Sequence, residues 1–208
     1  MTGKLFVFEG PEGAGKSTQV ARLAARLRAA GLDPVVTREP GGTPAGDRIR
    51  TLLLDRDLRV DAITEFLLYA AGRAQHVAEV IGPALAEGRV VVSDRFTAAS
   101  VAYQGFGRGL DVAWIHDVNA RVTAGITPDL NLLLDLDPAV GLTRVATRGR
   151  PDRLEAAALD FHLRVRDGFT RLARAEPERW CVLDATEAPA TLEAQIWRRI
   201  GPRLGLRP

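Results

Sequence analysis

At 208 residues, with 46% hydrophobic and 26% charged residues, the chain has the size and mix of one soluble domain able to bury a substantial core. The formal net charge is only +2, too balanced to argue for a nucleic-acid partner, and no apolar run approaches the ~20 residues that span a bilayer. A single cysteine, Cys181, excludes an intrachain disulfide framework, and Met-Thr-Gly-Lys4 runs straight into the first apolar stretch, so the expectation is a cytoplasmic protein with no leader, membrane or nucleic-acid partner. Leu5 to Phe8 reads as a short buried strand, and Ser17 to Ala30 as a helix with Val20, Leu23, Ala24 and Leu27 on one face. Between them Gly10, Pro11, Glu12, Gly13, Ala14, Gly15, Lys16, Ser17 and Thr18 fit Gly-x-x-x-x-Gly-Lys-Ser/Thr, the phosphate-binding P-loop. The glycines let successive backbone N–H groups converge on one anion at a helix N-terminus. Lys16 adds a point charge for the β/γ-phosphates, and the Ser17 hydroxyl can ligate Mg²⁺. Lysine occurs elsewhere only at Lys4, which makes a lysine at this position informative.

Further along, Pro34 to Thr37 reads as a second strand, Pro44 to Leu54 as a helix, and Thr64 to Glu87 as one long helix ending at Gly88. Val90 to Asp94, Leu130 to Asp135 and Trp180 to Asp184 read as three more strands. Helical patterns cover Asp111 to Thr123, Pro138 to Thr147, Glu155 to Ala175 and Ala190 to Ile200. Five strands alternating with helices predict an α/β fold, a parallel sheet covered on both faces, in a single domain spanning 1–208. In such folds ligands bind beyond the carboxyl ends of the strands, which here carry Glu9, Arg38-Glu39-Pro40, Asp94-Arg95, Asp135 and Asp184. Asp94 after Val90-Val-Val has the Walker-B placement for Mg²⁺, with Glu9 as its helper. Asp135 and Asp184 suit caps or strand-end turns equally well.

Arginine's planar fork suits bidentate phosphate contact, and Arg38, Arg50, Arg73 and Arg95 fall on segments bordering this edge. Arg144, Arg148, Arg150 and Arg153 cluster around Gly149 and Pro151, which is either a lid of about 144–155 closing on phosphates or a solvated helix junction. His76, His116 and His162 lack metal-ligand spacing, and Cys181 reads as an inert core thiol.

Together these segments resemble bacterial thymidylate kinase over nearly the whole length. The resemblance is carried by Phe8-Glu-Gly-Pro-Glu-Gly-Ala-Gly-Lys-Ser-Thr18, Thr37-Arg-Glu-Pro-Gly-Gly-Thr43, Tyr69-Ala-Ala-Gly-Arg-Ala-Gln-His76, Asp94-Arg-Phe96 with Ser100 and Ala102-Tyr-Gln-Gly105, and Asp152-Arg-Leu-Glu155. It implies a P-loop nucleoside monophosphate kinase fold, ATP as donor, Mg²⁺ as cofactor, thymidine monophosphate (dTMP) as acceptor, and a homodimer. It implies that Arg38, Arg50 and Arg95 grip the acceptor phosphate, that Tyr69 stacks on thymine near Arg73, and that Ser100 and Gln104 approach the base edge. Tyr103 then lies beside the sugar's 2′ position, Glu12 near the acceptor's sugar and phosphate, Arg148 and Arg153 in the lid, and Arg144 near the donor's adenine. Phe96 departs from the Tyr or His usual after Asp-Arg, and Ala98 and Ala99 from the polar residues often seen before Ser100.

The acceptor is an ionised phosphate oxygen, so no strong base is required, and catalysis rests on alignment and charge compensation. The P-loop has no arginine at its variable positions, which makes the lid, and Arg153 first, the expected source of a transition-state arginine. A GTPase switch is the rival from another class, but no Asn-Lys-x-Asp segment is present and phosphate-gripping arginines would be idle in it. A different nucleotide or nucleoside kinase on the same fold is the nearer rival, and the arginine-rich acceptor side argues for a phosphorylated acceptor over a free nucleoside.

Overall fold

The computed structural model describes residues 3–147, 149 and 151–206. Five strands, β1 Lys4–Glu9, β2 Val35–Arg38, β3 Val90–Asp94, β4 Leu130–Asp135 and β5 Trp180–Asp184, form one parallel sheet in the order β2-β3-β1-β4-β5. Each expected strand is present within a residue or so of its expected bounds. Their apolar runs are continuous because both faces are covered. Phe6 and Phe8 of β1 face one core with Leu23 and Leu27 of helix α1 (Lys16–Ala29) and Ile196 and Trp197 of α9 (Pro189–Ile200). Leu5 and Val7 face the other, with Val77, Ile81 and Phe96. The order places β1 at the centre, and the chain leaves it toward β2 on one side and reaches β4 on the other. The crevice at its carboxyl end is the topological switch point where α/β sheets bind ligands.

Local chemistry sets the helix starts. Thr43 Oγ1 accepts from Gly46 N at 2.9 Å ahead of α2 (Pro44–Leu54), with Pro44 supplying a first residue that needs no hydrogen-bond partner. Asp61, Asp111 and Asp137 likewise cap α3 (Ala62–His76), α6 (Val112–Val122) and α7 (Pro138–Ala146). By contrast α1 is preceded by Gly15, in the left-handed region with φ 88°, with no side-chain cap and no acidic residue in its first turn. Its leading N–H groups stay available to an anion.

Three departures from the sequence pattern matter. The long helix expected over 64–87 is α3, then a π-helical stretch Val77–Ile81, then α4 (Gly82–Ala86). Pro83 has no N–H to give four residues back, and the chain takes a wider turn before it, with Gly82 N–H on Val77 O. Residues after Asp94-Arg95, to which the sequence pattern assigns no element, form α5 (Thr97–Ser100) running into a second π stretch, Val101–Gly107. This segment packs against α8 (Leu159–Ala175), where a Cβ on Gly107 would stand 2.6 Å from Phe161 and one on Gly168 would stand 2.7 Å from Phe106. Helix α8 starts four residues later than expected because Asp152 and Glu155 close a turn. Asp152 N donates to Glu155 Oε2 at 2.8 Å, while Asp152 Oδ1 accepts from Leu154 N and Glu155 N.

Candidate active site

A cavity of about 490 Å³ opens beyond the carboxyl ends of β1, β2 and β3, and residues of the P-loop, the loop after β2, α3, α5 and the turn after α7 line it. On the P-loop side it is lined by Glu12, Gly13, Gly15, Lys16, Ser17 and Thr18. Gly10, Pro11 and Ala14 turn inward, and the carbonyls of Gly10 and Pro11 accept from Lys16 Nζ at 3.1 and 2.8 Å. The loop backbone lies directly on α7, since a Cβ on Gly13 would stand 2.2 Å from Gly141 O and one on Gly141 would stand 2.1 Å from Glu12 O. Burial and neighbouring Arg95 lower the Lys16 ammonium to about 8, with Glu12 and Asp94 holding it up in part.

Beside the lysine, the Ser17 hydroxyl donates to Asp94 Oδ2 at 2.8 Å, which brings the two principal expected metal ligands together at the cavity wall. Glu9, expected as their helper, is placed elsewhere. It is fully buried, absent from the cavity wall, and its Oε1 accepts from Phe96 N at 2.9 Å. Burial pushes this carboxyl up to about 7 against the pull of Arg95. Ser93 Oγ meanwhile donates to Arg95 O at 2.7 Å. One peptide unit, between Arg95 and Phe96, is therefore gripped at both its C=O and its N–H. That grip holds Arg95 at φ 75°, a left-handed conformation unusual for a residue with a side chain.

So aimed, the Arg95 guanidinium donates to Gly10 O at 3.1 Å, Glu12 Oε1 at 2.8 Å and Tyr103 Oη at 2.9 Å, and Tyr103 in turn donates to Glu12 Oε1 at 2.6 Å. Burial acts to raise the Glu12 carboxyl, but Arg95, Lys16 and the Tyr103 hydroxyl outweigh it and bring the pKa down to about 2. Arg38 and Arg50 also line the cavity; Arg38 Nη2 reaches Asp47 at 3.3 Å and Arg50 Nη1 donates to Pro40 O at 3.0 Å. Tyr69, Ser100, Tyr103 and Gln104 complete that side.

Arg73 is fully buried and does not line the cavity. Its Nε donates to Glu39, its Nη1 to Ser100 Oγ and Asn119 Oδ1, and its Nη2 to Phe96 O. Glu39 also meets His76 Nδ1 at 3.1 Å, and His76 Nε2 lies 2.6 Å from Thr37 Oγ1, so this network fixes the Arg38–Gly42 loop to α3. Arg144 bonds the carbonyls of Gly13 and Ala185 rather than facing the cavity. Asp152, Leu154 and Glu155 line it, but Arg153 points away, its Nε donating to Leu53 O and its Nη1 lying 2.7 Å from Glu65 Oε2. Arg148 and Arg150 lie outside the described residues. Asp135 pairs with Arg166 and Asp184 holds the Thr186 turn. Burial pushes the Cys181 thiol up on β5, an inert setting. Glu65 and Asn119 were not singled out by sequence, because nothing near them in the chain announces their distant partners; Ser93 was read only as part of its strand, and Glu39 only among the residues that follow β2.

Among the described residues no helix is long and apolar enough to cross a membrane, and no group of three or more His, Cys, Asp or Glu could hold a metal alone. A sequence model of the thymidylate kinase family matches residues 8–196. The chain is 57% identical to the thymidylate kinase of Deinococcus radiodurans over 201 residues, covering 97% of this chain and 98% of that one. It is 50% identical to that of Solidesulfovibrio magneticus over 205 residues, covering 95% and 98%. The crystal structure of thymidylate kinase from Ehrlichia chaffeensis superposes with a TM-score of 0.78 at 29% identity, covering 96% of this chain and 99% of that one. The chain belongs to the thymidylate kinase family and phosphorylates dTMP to dTDP.

Proposed function

We propose that the cavity binds ATP and dTMP end to end, with the donor's β/γ-phosphates in the P-loop and the acceptor phosphate among Arg38, Arg50 and Arg95. The observation that carries this reading is the single cavity wall shared by the P-loop and those three arginines. Tyr69 is the stacking surface for thymine, Ser100 and Gln104 meet its polar edge, and Tyr103 packs beside the sugar. Glu12 remains ionised among cations, so it suits a sugar hydroxyl or a hydrated metal as partner. Arg73 supports the base site through Ser100 rather than from the cavity wall.

The Ser17–Asp94 pair fits Mg²⁺, a hard cation that takes one or two protein oxygens, keeps several waters and completes its shell with substrate phosphates. When bound it would neutralise part of the phosphates' negative charge. The chain's own contribution is alignment: Lys16 meets the donor phosphates, and Arg95, held by Glu9 and Ser93 through its backbone, meets the acceptor. No base is needed because the attacking oxygen is already ionised. A lid over 144–155 supplies Arg148 and Arg153 on closing, and Arg153 must then exchange Glu65 for phosphate. A homodimer is part of this reading, since Leu52 of α2 and Ile63 and Leu67 of α3 are exposed apolar surface that a second copy would cover.

A panel of monophosphates with ATP and Mg²⁺ tests the assignment. The expected order is dTMP over dUMP by roughly 10–200-fold in kcat/KM, the worth of one methyl group, with dAMP and dGMP poor. A preference for CMP or UMP would overturn it.

A further inference from the structure

Gln104 lines the cavity, and behind it lies Glu65, a fully buried carboxylate on α3 that the reaction itself does not use. Three side chains converge on it. Gln104 Nε2 donates to Oε1 at 2.8 Å, Arg108 donates through Nε at 3.2 Å and Nη2 at 3.1 Å, and Arg153 Nη1 lies 2.7 Å from Oε2. Burial alone would raise this carboxyl, but the hydrogen bonds from Arg108 and Gln104 outweigh it and hold the group below its ordinary pKa. An ionised carboxylate accepts and cannot donate, so only the amide nitrogen of Gln104 can face it. The amide then has one orientation, with one N–H spent on Glu65 and Oε1 turned away from that carboxylate as an acceptor for a ligand.

We infer that Glu65 is a specificity-determining positioning residue, which locks the Gln104 amide so that the cavity presents an acceptor oxygen to the base. An acceptor there selects a base with an N–H at its pairing edge, as thymine and uracil have at N3, over cytosine, whose ring nitrogen is itself an acceptor. This rests on the reading that Gln104 meets the base. A free amide would rotate to suit either edge and discriminate little. A locked one leaves a mismatched base with two facing acceptors, and sites built to hydrogen-bond reject mismatches far more strongly than apolar pockets do.

The test compares dUMP with dCMP, both lacking the 5-methyl group, so that their kcat/KM ratio reports the pairing edge alone. Glu65→Gln keeps the side-chain volume but can either donate to or accept from Gln104. It is expected to lower the dUMP:dCMP ratio by roughly tenfold or more, chiefly through KM, with the KM for ATP unchanged. A purely structural role would slow both substrates alike and leave the ratio intact, which overturns the inference. Gln104→Leu separates the two readings. If it collapses the ratio while Glu65→Gln does not, only this inference fails; if it also leaves the ratio intact, the base-facing role of Gln104 fails. Should Glu65→Gln not fold, the wild-type protein answers by NMR. The Gln104 side-chain amide protons should be shifted downfield and protected from water exchange without nucleotide, and free exchange would overturn the lock.

Discussion

The Arg153 guanidinium gives one N–H to the Leu53 carbonyl and pairs through Nη1 with Glu65, while its Nη2 is buried with no partner among the described residues. Buried guanidinium groups are ordinarily satisfied on every side, so this seat is incomplete. Glu65 would keep Arg108 and Gln104 if Arg153 left, which makes the exchange for phosphate tolerable. Arg153→Ala is therefore expected to lower kcat by at least about a hundredfold while the KM for dTMP moves by less than about threefold, as measured in steady-state assays. The reverse pattern, a large rise in KM at retained turnover, would confine Arg153 to its contact with Glu65. What was legible at this scale followed from rigid local patterns. Lys16 and Ser17 open a helix behind a loop whose backbone their own motif dictates, and Asp94 ends, with Arg95 just after it, a strand whose apolar run is unmistakable. Glu65 and Glu39 gave no such signal, because their importance arises only when α3 and the β2 loop meet partners 34 or more residues away.

Helices and strands reach the site as units, and the tightest join is between the P-loop and α7. Backbone touches backbone at Gly13 and Gly141, where no flexible side chain can yield. Gly141→Ala must lift α7 off the loop that shapes the donor site. It is expected to cost about 1–3 kcal/mol in chemical denaturation and to raise the KM for ATP, and unchanged values of both would show that the join is slack. The strands were readable because each is an apolar run bounded by Gly, Pro or a charged residue. The segment after Arg95 was not, since Thr97 to Gly107 is rich in Ala and Gly and is buried around much of its circumference, so no apolar stripe of helical period stands out. Pro83 is visible in the sequence, but the helical pattern runs through it to Gly88, and only the π stretch shows how the chain accommodates it.

For the molecule as a whole, pH acts through the two carboxyls at the end of β1 and in the P-loop. The unfolded chain releases the Glu9 proton near 4.5 and the folded protein holds it to about 7, so stability from this group is complete below 4.5 and is lost as pH rises toward 7. Glu12 runs the other way, its contribution present above 4.5 and lost as pH falls toward 2. Glu9→Gln should therefore gain on the wild type by up to about 3 kcal/mol between pH 4.5 and pH 8 in denaturant titrations, and a pH-independent difference would show that Glu9 ionises freely in the fold. Charge also decides how the site meets its ligands. Each arginine lining the cavity is already engaged: Arg38 with Asp47, Arg50 with the Pro40 carbonyl, and Arg95 with Gly10, Glu12 and Tyr103. Glu12, Glu39, Asp94, Asp152 and Glu155 line the same wall as Lys16 and these arginines, so an incoming nucleotide displaces or shares internal partners instead of falling into an open positive well. Such a cleft projects little field into solvent, so it gives any passing polyanion little electrostatic steering. Free phosphate and nucleic acid gain no advantage from charge alone, and selection is deferred to the moment of contact, when only a ligand of the right length can replace several held partners at once.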